Sequence, residues 1–363
     1  MERNYAIDYL KFYAIFAVIL IHTGPFEGAA IFGIDGYYID FTIDTLSRFA
    51  VPFFFISSGY LFGMKMQTTK SRSIYFSSYV SKMVNLFLSW FIFYLLYDLF
   101  VKIFFGSFNP FSVPEIIKFI EENIKLEVFF YGASTGYQLW YLIALIWSIL
   151  ILFVFVHLNK LNLLLFISLG LNMIGLFSQS YSGLITLPFG TRDAFFFGLL
   201  YTTLGAYAAY NEKAIKGLAL RIKPKRLIAL FSIFSFLLII ERAVTVFLLD
   251  GKIGDYFLMT LPITISLFLY ALSKPALGKD SLFTKVGKES VGVYVIHVFF
   301  IKFIHLLTDV AGFSSLEENI LWHILFSPIV FVLSYLSYGV LQKMKKRKFN
   351  PLFKRMHAVV WKQ

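Results

Sequence analysis

The sequence predicts an all-α fold, a polytopic transmembrane helix bundle of about ten spans with both termini cytoplasmic. Three observations predict it. Of the 363 residues 58% are hydrophobic, 20% aromatic and only 15% charged, far from the balance of a water-soluble globule. Apolar runs recur from end to end, each close to the ~20 residues a bilayer-crossing helix needs. The basic residues, finally, alternate between connecting loops as membrane orientation dictates.

The first run, 7–23, has Asp8 and Lys11 inside it and no small-residue cleavage site after His22, so it reads as a retained span and not a signal peptide. Further spans are expected at 47–64, 83–105, 137–157, 161–177, 193–211, 227–248, 256–272, 290–308 and 319–341. In the long loop 106–136, Ile116, Ile117, Ile120 and Ile124 fall at helical spacing. That pattern predicts an amphipathic helix lying in the interface, with a lid over an outer cavity as the functional alternative. Pro188 and Gly190 break the pattern before the sixth span and predict a loop or re-entrant stretch there. No internal repeat or low-complexity linker divides the chain. It is expected to form one transmembrane domain, residues 1–341, followed by a basic cytoplasmic tail, 342–363.

The 33 Lys and Arg outnumber the 21 Asp and Glu, but they are sorted by loop and not gathered into a nucleic-acid-binding patch. Alternate loops, the N-terminus and the tail hold 24 of the 33, whereas the opposite loops hold Lys118, Lys125, Arg192 and Lys252. The positive-inside rule therefore places both termini in the cytoplasm and requires an even number of spans. With no cysteine, disulfides, thiolate metal sites and an acyl-cysteine intermediate are excluded. No histidine pair or histidine–carboxylate cluster has metal-ligand spacing.

The chemistry is carried by polar groups where lipid should forbid them. Lys11 and His22 are eleven residues apart, three helical turns plus about 20°, so they share one face about 16 Å apart along the axis. An ionisable group inside a span costs on the order of 3 kcal/mol or more, so that face should point inward. Counted from the cytoplasmic end of each span, the polar residues form two levels: an inner one of Asp8, Lys11, Ser58, Tyr60 and His297, and an outer one of His22, Arg48, Asp98, Lys102, Arg192, Asp193, Glu241 and Arg242. Two levels joined along the first span suggest a path across the membrane. Intrahelical pairs are expected between Asp8 and Lys11 and between Asp98 and Lys102. A structural salt bridge is one reading of Glu241 and Arg242, close helix packing one reading of Gly59, an aromatic belt one reading of Trp140 and Tyr141, and interface anchoring the reading of His157, His305 and His323. Imidazole titrates near pH ~6.5, which suits His22 to accepting a hydroxyl proton, and an imidazole can equally carry an acyl group as a nucleophile; the sequence does not separate the two roles.

In order along the chain, these pieces resemble acyltransferase family 3, integral membrane O-acyltransferases. The resemblance runs from Lys11 and His22, a basic residue and a histidine with ten residues between them, through Ser58–Gly59–Tyr60 and the LWYLIAL run at 139–145. It continues with Arg192, Gly198 and Gly205, and closes on VGKESVGVYVIH at 286–297. Lysine stands where arginine is commoner, which loses fork-like bidentate contacts, and no glutamate follows Trp140 or Trp147 at the spacing some members show. The resemblance implies transfer of an acyl group, acetyl being expected, from cytoplasmic acetyl-CoA or another acyl-CoA to a hydroxyl of an extracytoplasmic glycan or lipid-linked sugar. It also implies a bacterial cytoplasmic membrane location and no metal. On it, Asp8, Lys11 and His22 are the candidate catalytic residues. Lys11, Ser58, Gly59, Tyr60 and His297 are candidates for binding the donor, and Arg48, Trp140, Arg192, Glu241 and Arg242 for binding the acceptor. The extracytoplasmic domain that some relatives append has no counterpart in this sequence, so the transfer is expected to be completed alone or with a separate partner. The same polar levels could instead line a transport path for a glycan or lipid-linked precursor, which inverted repeats and broken helices would favour.

Overall fold

Asn4 starts the first helix by accepting the Ile7 amide on its side chain, and Gly24, in the left-handed conformation at φ 47°, ends it by returning its N–H to Leu20. This helix, α1 (Tyr5–Thr23), thus places His22 in its last turn. The computed structural model describes residues 3–360 apart from 32, 107, 133 and 134, with side chains described up to residue 345, that of Ile31 apart. After α1 a minimal antiparallel hairpin, β1 (Ala30–Ile31) and β2 (Ile34–Asp35), pairs Ala30 with Asp35 and leads into α2 (Gly36–Ser47) and α3 (Ala50–Thr68). Then come α4 (Arg72–Phe105), the short outer helices α5 (Val113–Asn123) and α6 (Leu126–Tyr131), α7 (Trp140–His157) and α8 (Leu161–Gly175). A π-turn, Ala194–Gly198, opens α9 (Leu199–Tyr210). The chain closes with α10 (Glu212–Ile222), α11 (Pro224–Phe247), α12 (Thr260–Ser273), α13 (Leu282–Lys288), α14 (Ser290–Val310) and α15 (Ile320–Val360).

The fold is all-α, and each of the ten expected spans is helical. Among the described residues eight helices are long and apolar enough to cross a bilayer; Ala194–Tyr210 and Thr260–Ser273 are apolar but shorter. Several boundaries differ from expectation. The second span is preceded by a separate helix, α2, and α4 begins eleven residues early, at Arg72. At 34 residues α4 is about 51 Å long, well beyond a hydrocarbon core of about 30 Å. The expected tail does not break from the last span, because α15 runs on to Val360; residues 361–363 lie outside the described residues.

Burial sorts the helices. The α2–α3 stretch and α7 are largely buried, whereas α4, α11 and α15 leave most of their apolar surface outward, the distribution of a bundle whose rim meets lipid. In the outer loop, α5 buries Phe119 and leaves Ile116, Ile117 and Ile120 exposed, as an interfacial helix would.

The tightest crossing is between α3 and α9. A Cβ at Gly59 would strike the Thr202 carbonyl, one at Gly205 the Ile56 carbonyl and Tyr60 amide, and one at Gly63 the Ala209 side chain. Small residues let membrane helices approach to backbone contact, where dispersion replaces the absent hydrophobic drive. A second seam joins α13 to α1, where Gly287 sits against the Asp8 carbonyl and Phe12 amide. Gly59→Leu is therefore expected to destabilise the bundle by about 3 kcal/mol or more, read as a lower thermal midpoint in detergent, while Gly217→Leu, in open space on α10, leaves the midpoint unchanged.

Candidate active site

The sharp turn at Gly24 delivers His22 to the junction of α1, α14 and α15. Thr23 Oγ1 meets Ser327 Oγ at 2.7 Å, and His323 Nδ1 donates to the Pro25 carbonyl at 2.8 Å. The His22 imidazole lies over that of His297, with ring centroids 5.3 Å apart and planes 26° from parallel, and Tyr137 packs on it at 5.0 Å. The His22 ring has no hydrogen bond to any described residue, so its nitrogens are left for a ligand.

His297 is fully buried, and its Nδ1 lies 2.6 Å from the Tyr294 carbonyl. A carbonyl only accepts, so Nδ1 carries the proton and the Nε2 of the neutral ring is an acceptor; it has no partner among the described residues. The two histidines are not at different levels, as depth counting had it. Gly287 already lies beside Phe12, and both histidines are ten residues further along, about 15 Å, on helices running the same way. The error came from counting each span from its own first residue, when α13 carries the chain inward before α14 begins.

Behind the histidines runs a chain of charges. Arg242, 3% exposed, binds Asp44 and Thr45 Oγ1; Asp44 grips Arg48 with both oxygens; Arg48 reaches Asp255 at 3.0 Å; and Asp255 reaches Arg192 at 3.4 Å. Arg192 also lies over the Trp140 indole, 5.3 Å from its centroid. Three guanidiniums share two carboxylates, and Arg48 and Arg192 are both within electrostatic reach of His22. Arg192 ends the chain and is its most exposed arginine, free to donate to an anionic oxygen.

The structure does not bring all the expected residues together. Glu241 is spent on the Leu258 and Met259 amides and the Tyr181 hydroxyl, which fixes the entry to α12, and Arg242 acts on the site only by holding Asp44. Asp8 pairs with Arg3, not Lys11, because the chain before α1 folds Arg3 back over the first turn. On the face joining Lys11 to His22, Ile15 and Val18 are 0% and 1% exposed, so packed apolar side chains fill the ridge along which a path across the membrane was expected. Polar contacts run beside it instead: Ser58 Oγ to Tyr141 OH at 3.3 Å, then the Tyr141, Tyr294 and His297 rings in succession. Gly59 serves the α3–α9 crossing, and Tyr60 hydrogen-bonds Glu212.

Asp255, Tyr137 and Lys302 were missed. Lys302, on α14, pairs with Asp98 and bonds the Thr135 carbonyl at 2.8 Å, while Lys102 turns to Glu122; the expected Asp98–Lys102 pair does not form. A lysine inside the apolar run FFIKFIH is itself a signal that a buried partner exists. Lys302 lashes down the segment that carries Tyr137. Lys302→Met should lower the transfer rate by about tenfold through loss of that ordering, with Asp98→Asn giving a similar loss and the double variant no more than either alone.

The profile of the acyltransferase domain matches residues 4–339, nearly the whole chain. The chain belongs to acyltransferase family 3. It is also 27% identical over 251 residues to a protein of Enterococcus faecalis named amino-acid racemase, a stretch covering 65% of this chain and 31% of that protein. The chain thus spans about a third of the length of the curated relative it matches, and that name describes the whole of the longer protein. No solved structure matches the chain. With this membership and its apolar helices, the protein is a multi-pass member of a membrane acyltransferase family.

Proposed function

We propose that the protein is an O-acyltransferase of the bacterial cytoplasmic membrane, moving an acyl group, acetyl on our reading, from cytoplasmic acyl-CoA to a hydroxyl of an extracytoplasmic glycan or glycolipid. The observation that carries it is the His22–His297 stack at the end of α1, with Arg48 and Arg192 within electrostatic reach. His22 takes the proton of the acceptor hydroxyl; the oxygen attacks the thioester carbonyl carbon; the tetrahedral intermediate expels CoA thiolate, which recovers the proton from the imidazolium. The partial negative charge at the α1 C-terminus faces that imidazolium. Arg192 is suited to the oxyanion, since its one ion-pair partner among the described residues is 3.4 Å away and its side chain is exposed.

At the other end of α1, a cavity of about 420 Å³ is lined by Arg3 and Lys216, paired with Asp8 and Glu212, and by Lys288, which has no ion-pair partner among the described residues and is the basic group most open to a CoA phosphate. The Lys11–His22 ridge is packed, and Tyr141 and Tyr294, each 3% exposed, are packed as well, so a thioester arm passing Ser58 toward His297 would require those rings to swing aside. Lys11 is half-buried and adds positive charge at the inner end.

The test is mass spectrometry of surface polysaccharide and cell-wall fractions from cells with and without the protein, with purified protein assayed for bound CoA. A single acetyl mass lost from one glycan fraction, together with CoA in the preparation, is the expected result. Unchanged fractions, or acceptor movement across vesicles indifferent to CoA, would sink the proposal and favour transport.

A further inference from the structure

His22 also lines a second cavity, of about 350 Å³, within the range of small-ligand pockets. Its walls include His22, Glu27, His305, Glu317, Trp322 and His323, and neither lysine nor arginine is among its lining residues. His305 and His323, read from sequence as interface anchors, therefore both face the cavity that His22 faces. Among the described residues no group of three or more side chains is arranged to hold a metal ion, so the three histidines need another account.

The polar inventory of this cavity is that of a hydroxyl-binding site. Glu317 uses Oε1 for His305 Nδ1 at 2.8 Å and Thr308 Oγ1 at 2.9 Å, leaving Oε2 with no partner among the described residues. The Glu27 carboxylate is exposed and has no hydrogen-bond partner there either. His323, 6% exposed, spends Nδ1 on the Pro25 carbonyl, and its Nε2 is itself buried. Carboxylates only accept, so the complementary ligand must bring O–H or N–H donors. Trp322, stacked on Phe326 with centroids 4.9 Å apart, adds a braced apolar ring surface of the kind that covers the C–H face of a sugar. Asp40, whose two oxygens accept the Phe26 amide, lies by Gly24 and adds negative charge at the rim.

We infer that this cavity is the acceptor subsite and takes a sugar ring that is uncharged or amine-bearing, rejecting anionic sugars. The inference rests on the proposed acyl transfer for the role of the bound hydroxyl, but the pocket and its charge preference stand on the lining residues alone. A negative group on the acceptor would meet Glu27 and Glu317 with no lysine or arginine among the lining residues to compensate.

The experiment is calorimetric titration of the full-length protein in detergent, without CoA, using glucosamine, N-acetylglucosamine and glucuronate as probes. Binding of the first two, with glucuronate at least about tenfold weaker, is expected. Glu27→Lys, at an exposed position that folding tolerates, should narrow or invert that preference, and Trp322→Phe should retain binding that Trp322→Ala loses. Glucuronate binding as tightly as glucosamine, or Glu27→Lys leaving the preference unmoved, would overturn the inference. So would absence of binding by all three sugars in protein that still acylates a glycan, which leaves the transfer intact and removes the pocket. Sugar binding as described in protein with no CoA-dependent transfer has the opposite meaning: the subsite holds and the transfer reading fails.

Discussion

His22→Ala should lower CoA-dependent acyl transfer by about 10²–10⁴-fold, the range of a positioned general base, with almost no change in thermal midpoint. The second half of that expectation is as informative as the first. His22 is half-buried and its ring makes no hydrogen bond to the described residues, so truncation leaves no orphaned partner and costs only ring contacts with His297 and Tyr137. His297→Ala differs, because a fully buried side chain bonded to Tyr294 is removed and stability falls along with rate. Rates from purified, CoA-loaded enzyme and unfolding curves on the same samples separate the two. An active His22→Ala enzyme would remove the base from the mechanism.

Asp44→Ala is expected to have the largest effect on stability. Asp44 compensates both Arg48 and Arg242, and the Arg242 side chain is 4% exposed. Removing one partner of such a buried pair strands the other, at a cost of about 3–5 kcal/mol. Arg48 keeps Asp255, but Arg242 keeps only the Thr45 hydroxyl, the Phe41 carbonyl and the Phe41 ring. Replacing both members, Asp44→Ala with Arg242→Met, should recover much of the loss, since no uncompensated charge remains. Asp255→Ala is the contrasting case: the carboxylate is 31% exposed, the stability cost is smaller, and the rate falls because Arg192 loses its tether. Thermal midpoints of the three variants in one detergent order these effects.

The helices were legible because each must be apolar along its length to cross a bilayer, and that signal survives whatever the helix packs against. His22 and Arg192 were legible as ionisable residues in or at the end of apolar runs, where desolvation makes a bland role expensive. The partners were less so. Asp255 sits in a polar loop where a carboxylate is unremarked, and only the surplus of arginines at that end asks for it. Relative depth failed for His297 because the re-entry along α13 leaves no mark in hydropathy. The proposed path along the first span failed for a related reason: spacing fixes the face of Lys11 and His22, but not whether Ile15 and Val18 between them are packed. Glu241 and Glu317 illustrate the same limit from opposite sides, one taken for a binding residue and found bracing α12, the other unmarked by any sequence pattern and found on the wall of a cavity.

The two glycine seams have a bearing on how the molecule can breathe. Where backbones touch with no side chain between them, neither partner can slide without a collision, so α3 with α9 forms one stiff spar and α1 with α13 another. Opening wide enough for a bulky thioester must then fall on the boundary between the spars, where the contacts are side chains that can change rotamer. Amide hydrogen exchange should find the slowest protons along the seams, and a crosslink across that boundary would stall turnover without loosening either spar.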